Sequence, residues 1–122
     1  MSDIQRLDSP DQRFYILLTS NEMRMSHRVT SAALWERDSQ RLLLQIGDGL
    51  WSSEEIAWSA DSRGVTVGIR RYPGDVPGMV MDIYPEQRIV IPHPPADTQP
   101  LPFAALNTFL ENYYEQHRRV RS

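Results

Sequence analysis

One repeated pattern restricts the fold of this chain more than any other feature of its sequence. The stretch WERDSQRLLLQI (Trp35–Ile46) aligns without a gap on WSADSRGVTVGI (Trp58–Ile69), which begins 23 residues later. Trp, Asp, Ser and the final Ile are identical, and apolar residues alternate along the second half of both stretches. An Asp side chain can accept hydrogen bonds from the following backbone, which favours a turn, and the alternation favours a strand. Each stretch therefore predicts a β-hairpin.

Turn signals recur along the middle of the chain. A fainter copy of the pattern is YPEQRIVI (Tyr84–Ile91), where Gln-Arg precedes three apolar residues as it does at residues 40–44. The stretch over residues 23–37 is compatible with a strand or a helix, and we favour a strand because a hairpin follows. Regular spacing of turns is typical of antiparallel sheets. We predict an antiparallel β-meander of five to seven strands over residues 13–91, with corners near positions 21, 38, 48–52, 61, 73–78 and 86.

Three segments flank this meander. Residues 1–12 lack apolar periodicity and predict a flexible lead-in. Residues 92–102 contain five prolines, which predict an extended connector because proline has no N–H donor for a central strand. Over residues 103–120, an apolar stripe at helical spacing predicts an amphipathic helix. The stripe consists of Phe103, Leu106, Leu110, Tyr113 and His117. The expected fold class is α+β, one domain in which this helix packs on a face of the meander.

The composition excludes several classes of protein. The chain has 122 residues, which fits one domain. It has no cysteine, which excludes disulfides and Cys-ligated zinc, and all 13 basic residues are Arg, which excludes lysine-dependent phosphate loops and Schiff bases. The net charge of −3 argues against nucleic acid as a partner, and no apolar run is long enough to span a membrane. The polar N-terminus lacks the apolar region of a secretory signal, so we expect a cytoplasmic protein.

The segment IAWSADSRGVTVGI (residues 56–69) resembles the W-S-x-D-[GS]-x-x-[LIV]-x-[LIV] hairpin of β-propeller blades of the WD-repeat and TolB types. Residues 33–46 share the resemblance, although Glu36-Arg37 stands where that family has Ser-Pro. A propeller needs at least four blades of about forty residues each, so the resemblance implies blade-like hairpins without a complete ring. We expect one open sheet, covered on one face by the C-terminal helix. Open edge strands can pair with a second copy, so we also expect a homodimer.

No group of residues predicts catalysis. The three histidines, His27, His93 and His117, are far apart in sequence and match no metal-binding spacing. The sequence GDG at residues 47–49 is interpreted as a hairpin turn rather than a metal loop. No serine lies in a nucleophile motif such as G-x-S-x-G. We therefore expect no catalytic residue, no metal and no cofactor.

Exposed Arg, Tyr and Trp side chains are the candidates for recognition. Arg and Tyr are enriched at binding hot spots, and the proline-containing loop Arg71–Gly78 would lose little entropy on docking. The same features are also compatible with an ordinary turn, with the tryptophan folded over the core. The residues that we expect to contact another protein are Arg70, Arg71, Tyr72, Asp75 and Trp51.

The sequence leaves two functions open, beside a third possibility of an assembly subunit whose sheets join edge to edge. The first is a protein-interaction domain of the adaptor, chaperone-like or immunity-inhibitor kind, which uses a sheet edge or the loop Arg71–Gly78. The alternative is a small-molecule or enzymatic site in a pocket between helix and sheet. The residues that would line this pocket are Trp35, Trp58, Tyr113 and Tyr114.

Overall fold

The computed structural model describes residues 3–22, 28–47, 50–72, 76–94, 96 and 98–121. These residues form the strands β1 (Asp3–Asp8), β2 (Phe14–Glu22), β3 (Arg28–Glu36), β4 (Arg41–Ile46), β5 (Trp51–Trp58), β6 (Val65–Arg71), β7 (Met79–Tyr84), β8 (Ile89–Pro92) and β9 (Leu101–Pro102), followed by a 3₁₀ turn (Phe103–Ala105) and the helix α1 (Leu106–Arg121). Within these ranges, no helix has the length and apolar composition needed to cross a membrane.

In the described residues, nine strands form two antiparallel sheets instead of the single meander of five to seven strands that the sequence predicts. Sheet A has the strand order β1-β2-β3-β4, and sheet B has the order β5-β6-β7-β8-β9. The break follows Gly47, whose φ is 77° and whose amide donates a hydrogen bond to Asn107 Oδ1. Beyond it, β5 lies beside the part of β3 that β4 leaves unpaired, and the Thr30 amide donates to Ser52 Oγ at 3.0 Å. The chain is mostly β with one C-terminal helix, which confirms the α+β class.

The two sheets repeat the same hairpin geometry with an offset of about fifty residues. SPDQRF (residues 9–14) joins β1 to β2, and SADSRG (residues 59–64) joins β5 to β6 through the same pattern of hydrogen bonds. Gln12 and Ser62 lie at equivalent positions of these turns, with φ values of 61° and 62°. The turn between β3 and β4 also corresponds to the turn between β7 and β8, because Gln40 and Arg88 in these turns have φ values of 56° and 59°.

The 23-residue repeat is therefore not the structural repeat. Trp35 lies near the end of β3, the third strand of sheet A, whereas Trp58 ends β5, the first strand of sheet B. Both stretches form hairpins, as predicted, but the hairpins occupy different places in their sheets. The fainter match at Tyr84–Ile91 falls on the turn equivalent to that of residues 37–40 but is one residue out of register, because it aligns Gln87 with Gln40 whereas the equivalent positive-φ residue is Arg88. The resemblance to propeller blades stays a prediction.

The flanking segments contain more strand than the sequence predicts. Residues Asp3–Asp8, part of the expected flexible lead-in, pair with β2 along their whole length. That prediction was wrong because backbone pairing, rather than an apolar face, holds this strand. The proline-rich connector is shorter than expected, since Pro92 ends β8 and Leu101–Pro102 pairs with β8. An edge strand tolerates proline because one of its sides needs no N–H donor.

The core lies between the inner faces of the sheets and the helix. Leu106, Leu110 and Tyr113 of the predicted stripe are buried in one cluster with residues of both sheets. Phe103 precedes α1 in the 3₁₀ turn, so the helix begins later than predicted, and Phe103 and His117 are half-buried. Asn107 projects from the first turn of α1 to β4, where its Oδ1 accepts from Gly47 and its Nδ2 donates to the Gln45 carbonyl. The two sheets contribute to this cluster residues that include Ile16, Leu34, Ile46, Trp51, Val67, Met81 and Ile83.

Candidate functional site

Arg71, a residue predicted to contact a partner, is engaged inside the molecule. Its guanidinium donates to Glu111 Oε1 at 2.8 Å and lies over the rings of Tyr114 at 4.0 Å and Trp51 at 5.8 Å. Only 12% of its side chain is exposed. Arg offers a planar fork that can bind a carboxylate and stack on aromatic rings at the same time. Arg71 therefore fastens α1 to the end of β6.

The other residues predicted for partner binding are distributed around this contact. Trp51 is 1% exposed, so it cannot present its ring to a partner as expected. Its side chain lies in the core and packs against Gly47. Arg70 is exposed on the opposite face of β6, and Tyr72 is half-buried, with its amide donating to the Leu50 carbonyl. Asp75 lies outside the described residues.

The four residues predicted to line a pocket do not come together. Trp35 stacks on Tyr15 on the outer face of sheet A, with ring centroids 6.4 Å apart. Trp58 Nε1 donates to the Leu7 carbonyl and so joins β5 to β1. Tyr113 donates to the Pro77 carbonyl at 3.2 Å, and Tyr114 lies under Arg71. These side chains fasten elements together at separate places.

Strand β1 is an outer strand of sheet A, and in the described part of the chain it pairs only with β2, with a further contact from Trp58 at the Leu7 carbonyl. The other outer strands are contacted at one end or are short: Asn107 binds the end of β4, Ser52 near the start of β5 accepts from the Thr30 amide of β3, and β9 has two residues. The Ser9 amide donates to the Phe14 carbonyl, and hydrogen-bonded pairs alternate along an antiparallel ladder. The backbone N–H and C=O groups of Ile4, Arg6 and Asp8 therefore face away from β2.

The side chains of this open edge lie on the outer face of sheet A. Arg6 Nε donates to Asp8 Oδ1 at 2.8 Å, and its guanidinium lies 4.0 Å from the centre of the Tyr15 ring. Ile4 is 69% exposed, and Leu42 at the other side of the same face is 46% exposed. The edge therefore combines unpaired backbone groups, one ordered charge pair and exposed apolar side chains. Sequence reasoning missed it because residues 1–12 were expected to be unstructured.

A polar network lies on the outer face of sheet B. Thr66 donates to Asp82 Oδ1 at 2.7 Å, and His93 Nε2 lies 2.8 Å from Asp82 Oδ2. Burial raises the pKa of Asp82, but the hydrogen bonds from His93 and Thr66 outweigh this effect and hold the pKa below its usual value. Because the carboxylate lies between the hydroxyl and the imidazole, this is not the nucleophile–base–acid order of a catalytic triad. It can orient an imidazole for proton transfer.

Comparison with known proteins gives no relative from which to assign a site. No family model, curated protein or solved structure matches this chain. Among the described residues, no three His, Asp or Glu side chains lie close enough to hold a metal ion.

Proposed function

We propose that this chain is a non-enzymatic protein-binding domain that contacts its partner through the open edge of β1. The observation that supports this function most directly is the set of outward-facing backbone groups at Ile4, Arg6 and Asp8. An exposed strand edge is a ready template for another strand, and added strands are a recurrent mode of peptide recognition. Main-chain hydrogen bonds would supply affinity, and the side chains beside them would supply specificity.

Two further observations favour this edge over the loop Arg71–Gly78. Arg71 already binds Glu111 and two aromatic rings, so releasing it for a partner would break contacts within the fold. Arg6, in contrast, is held by Asp8 and Tyr15 on an exposed face, with 42% of its side chain accessible. A side chain that is already ordered loses less entropy when a partner binds. Adaptor, chaperone-like and immunity-inhibitor roles are all compatible with such an edge.

A matched pair of variants tests this function. Arg6→Pro and Arg6→Gln both remove the charge, but only the proline removes the outward-facing N–H, and edge strands tolerate proline at such positions. We expect partner proteins captured by the wild type from the native source to be retained by Arg6→Gln more strongly than by Arg6→Pro. Equal capture by both variants, with circular dichroism showing that both are folded, would contradict the proposed edge.

Hydrogen exchange gives an independent measurement that needs no variant. In the monomer, the amides of Ile4, Arg6 and Asp8 should exchange quickly, whereas the amides of Gln5 and Leu7, which face β2, should be protected. Binding of a partner strand should slow exchange at the first three positions. Protection elsewhere, with no change at these amides, would place the interface on another surface.

A second function is favoured by one observation, the hydrogen-bonded network of Thr66, Asp82 and His93. An oriented imidazole can act in acid–base chemistry or bind a small polar molecule. A thermal-shift screen with metabolites tests this alternative. A ligand that stabilises the wild type but not His93→Ala would support it, and the absence of any such ligand would leave the protein-binding function as the better account.

A further inference from the structure

We propose that the partner at the β1 edge is a second copy of this chain, paired antiparallel to β1 across a two-fold axis at Leu7. This inference rests on the proposed function, because it names the occupant of the same edge. Pairing in this way joins sheet A of one copy to sheet A of the other. The outer faces of the two A sheets then become one continuous face.

The alternation of β1 limits the possible registers. In an antiparallel ladder, a residue whose backbone groups face the partner lies opposite another residue of the same kind. Ile4, Arg6 and Asp8 of one copy can therefore lie opposite only Ile4, Arg6 or Asp8 of the second copy, or residues beyond them at the same parity. A shift by one residue would place outward-facing groups opposite groups already bonded to β2.

Charge selects one of the remaining registers. Centring the pair on Arg6 or on Asp8 places identical charges directly opposite each other, which destabilises cross-strand pairs. Registers that place Ile4 opposite Ile4 or Arg6 bring no opposite charges together. The register centred on Leu7 places Arg6 of each copy opposite Asp8 of the other, so two opposite-charge pairs form across the axis. Charge complementarity thus favours a second copy in this register.

The arrangement within one copy prepares these pairs. Arg6 is fixed by its hydrogen bond to Asp8 and by its position over Tyr15. Arg carries five N–H donors, so it can keep its hydrogen bond to Asp8 of its own strand and donate to a second carboxylate of the other copy. The four charges would alternate in sign on one exposed face, and the guanidinium groups would need little reordering on association.

Charge reversal with mixing tests whether the attraction acts between copies. R6D places carboxylates opposite carboxylates in the proposed dimer, and D8R places guanidiniums opposite guanidiniums. By light scattering after size exclusion, we expect the wild type to have twice the monomer mass and each variant to have the monomer mass. An equimolar mixture of R6D and D8R should regain the dimer mass. Mixing cannot restore a charge pair within one chain, so failure of the folded mixture to associate overturns the charge argument.

Cysteine cross-linking tests the register. The chain has no native cysteine, so a single introduced thiol is unambiguous. At the two-fold axis, the Leu7 positions form a non-hydrogen-bonded pair about 4.5 Å apart between Cα atoms, which is within disulfide range. The Gln5 positions would be about 13 Å apart in the same register. Oxidation should therefore cross-link L7C and leave Q5C monomeric, and the reverse result would overturn the proposed register.

The outcomes separate this inference from the function on which it rests. A wild-type chain that is monomeric at every attainable concentration overturns the homodimer. If Arg6→Pro still weakens capture of a different protein relative to Arg6→Gln, the edge remains a binding site with another occupant. If neither dimerisation nor capture responds to Arg6→Pro, both the inference and the proposed function are wrong.

Discussion

Ser9 and Ser59 have the same role in equivalent turns of the two sheets. Each hydroxyl donates to an Asp carboxylate two residues on, at 2.7 Å for Asp11 and 2.6 Å for Asp61, and accepts from a backbone amide five residues on. The Arg13 amide also donates to Asp11 Oδ1. Hydrogen bonds lower the pKa of both carboxyl groups, with the Arg13 amide having the largest effect on Asp11 and the Ser59 hydroxyl the largest effect on Asp61. The two turns meet where the Asp11 amide donates to Ser62 Oγ at 2.9 Å. The repeat therefore fixes each hairpin and the contact between the sheets.

Removing these two hydroxyls should have different effects despite their identical bonds. Ser9 is 1% exposed, whereas Ser59 is exposed and water can replace its hydroxyl. We expect Ser9→Ala to lower the free energy of unfolding by about 1–2 kcal/mol and Ser59→Ala by less than about 1 kcal/mol. Urea denaturation measures both. Ser39→Ala, at an exposed turn, is the control and should change stability by less than about 0.5 kcal/mol. Equal losses at Ser9 and Ser59 would show that burial does not decide the effect.

The sequence predicted the strand-rich fold and the helix because these depend on local patterns. Alternating residues such as Val65, Val67 and Ile69 do face the core, and the helical stripe is buried at Leu106 and Leu110. The division into two sheets was not predictable in this way, because it depends on where β5 pairs after Gly47. Tertiary contacts, rather than alternation, decide that β5 lies beside β3.

The structural repeat did have a signal in the sequence, at residues set aside as a lead-in. SPDQR (residues 9–13) and SADSR (residues 59–63) share Ser, Asp and Arg at fixed spacing. The site predictions were limited for a different reason. Arg71 and Trp51 have the composition of a binding hot spot, but the same properties allow an Arg to stack on buried rings inside a fold. Only the packing of α1 distinguishes these two uses.

The Arg71 contact should be sensitive to replacement by lysine. Lys keeps the positive charge but cannot stack a planar group on Tyr114 while it donates to Glu111. We expect Arg71→Lys to lower the free energy of unfolding by about 1–2 kcal/mol, as measured by urea denaturation. Glu111→Gln should cost less than about 1 kcal/mol because that carboxylate is half-exposed. Arg70→Lys, on the exposed face of the same strand, is the control. If Arg70→Lys is as costly as Arg71→Lys, the stacked geometry contributes nothing.

Residues with positive φ provide a test of turn strain. Arg88 has a φ of 59° and is exposed at the turn between β7 and β8. Glycine adopts this conformation without steric cost, which offsets its greater freedom in the unfolded chain. We expect Arg88→Gly to leave the free energy of unfolding unchanged or to raise it by up to about 1 kcal/mol, as measured by urea denaturation. The same substitution at Arg63, which lies outside the positive-φ residues, should lower stability by about 0.5–1 kcal/mol. A larger loss at Arg88 than at Arg63 would contradict this account of the turn.

Asp82 should make the protein sensitive to acid. Its pKa lies below the usual value because hydrogen bonds from His93 and Thr66 outweigh burial, so the folded protein holds the carboxylate charged while the unfolded chain binds a proton more readily. Such a group contributes stability above the unfolded-state pKa of about 4, and this contribution is lost as the pH falls through the lower folded-state pKa. Denaturation midpoints measured from neutral pH downward should therefore fall less steeply for Asp82→Asn than for the wild type. Glu54→Gln, at an exposed position of β5, should keep the wild-type slope. A slope for Asp82→Asn as steep as that of the wild type would mean that the hydrogen bonds to Asp82 do not favour its charged form.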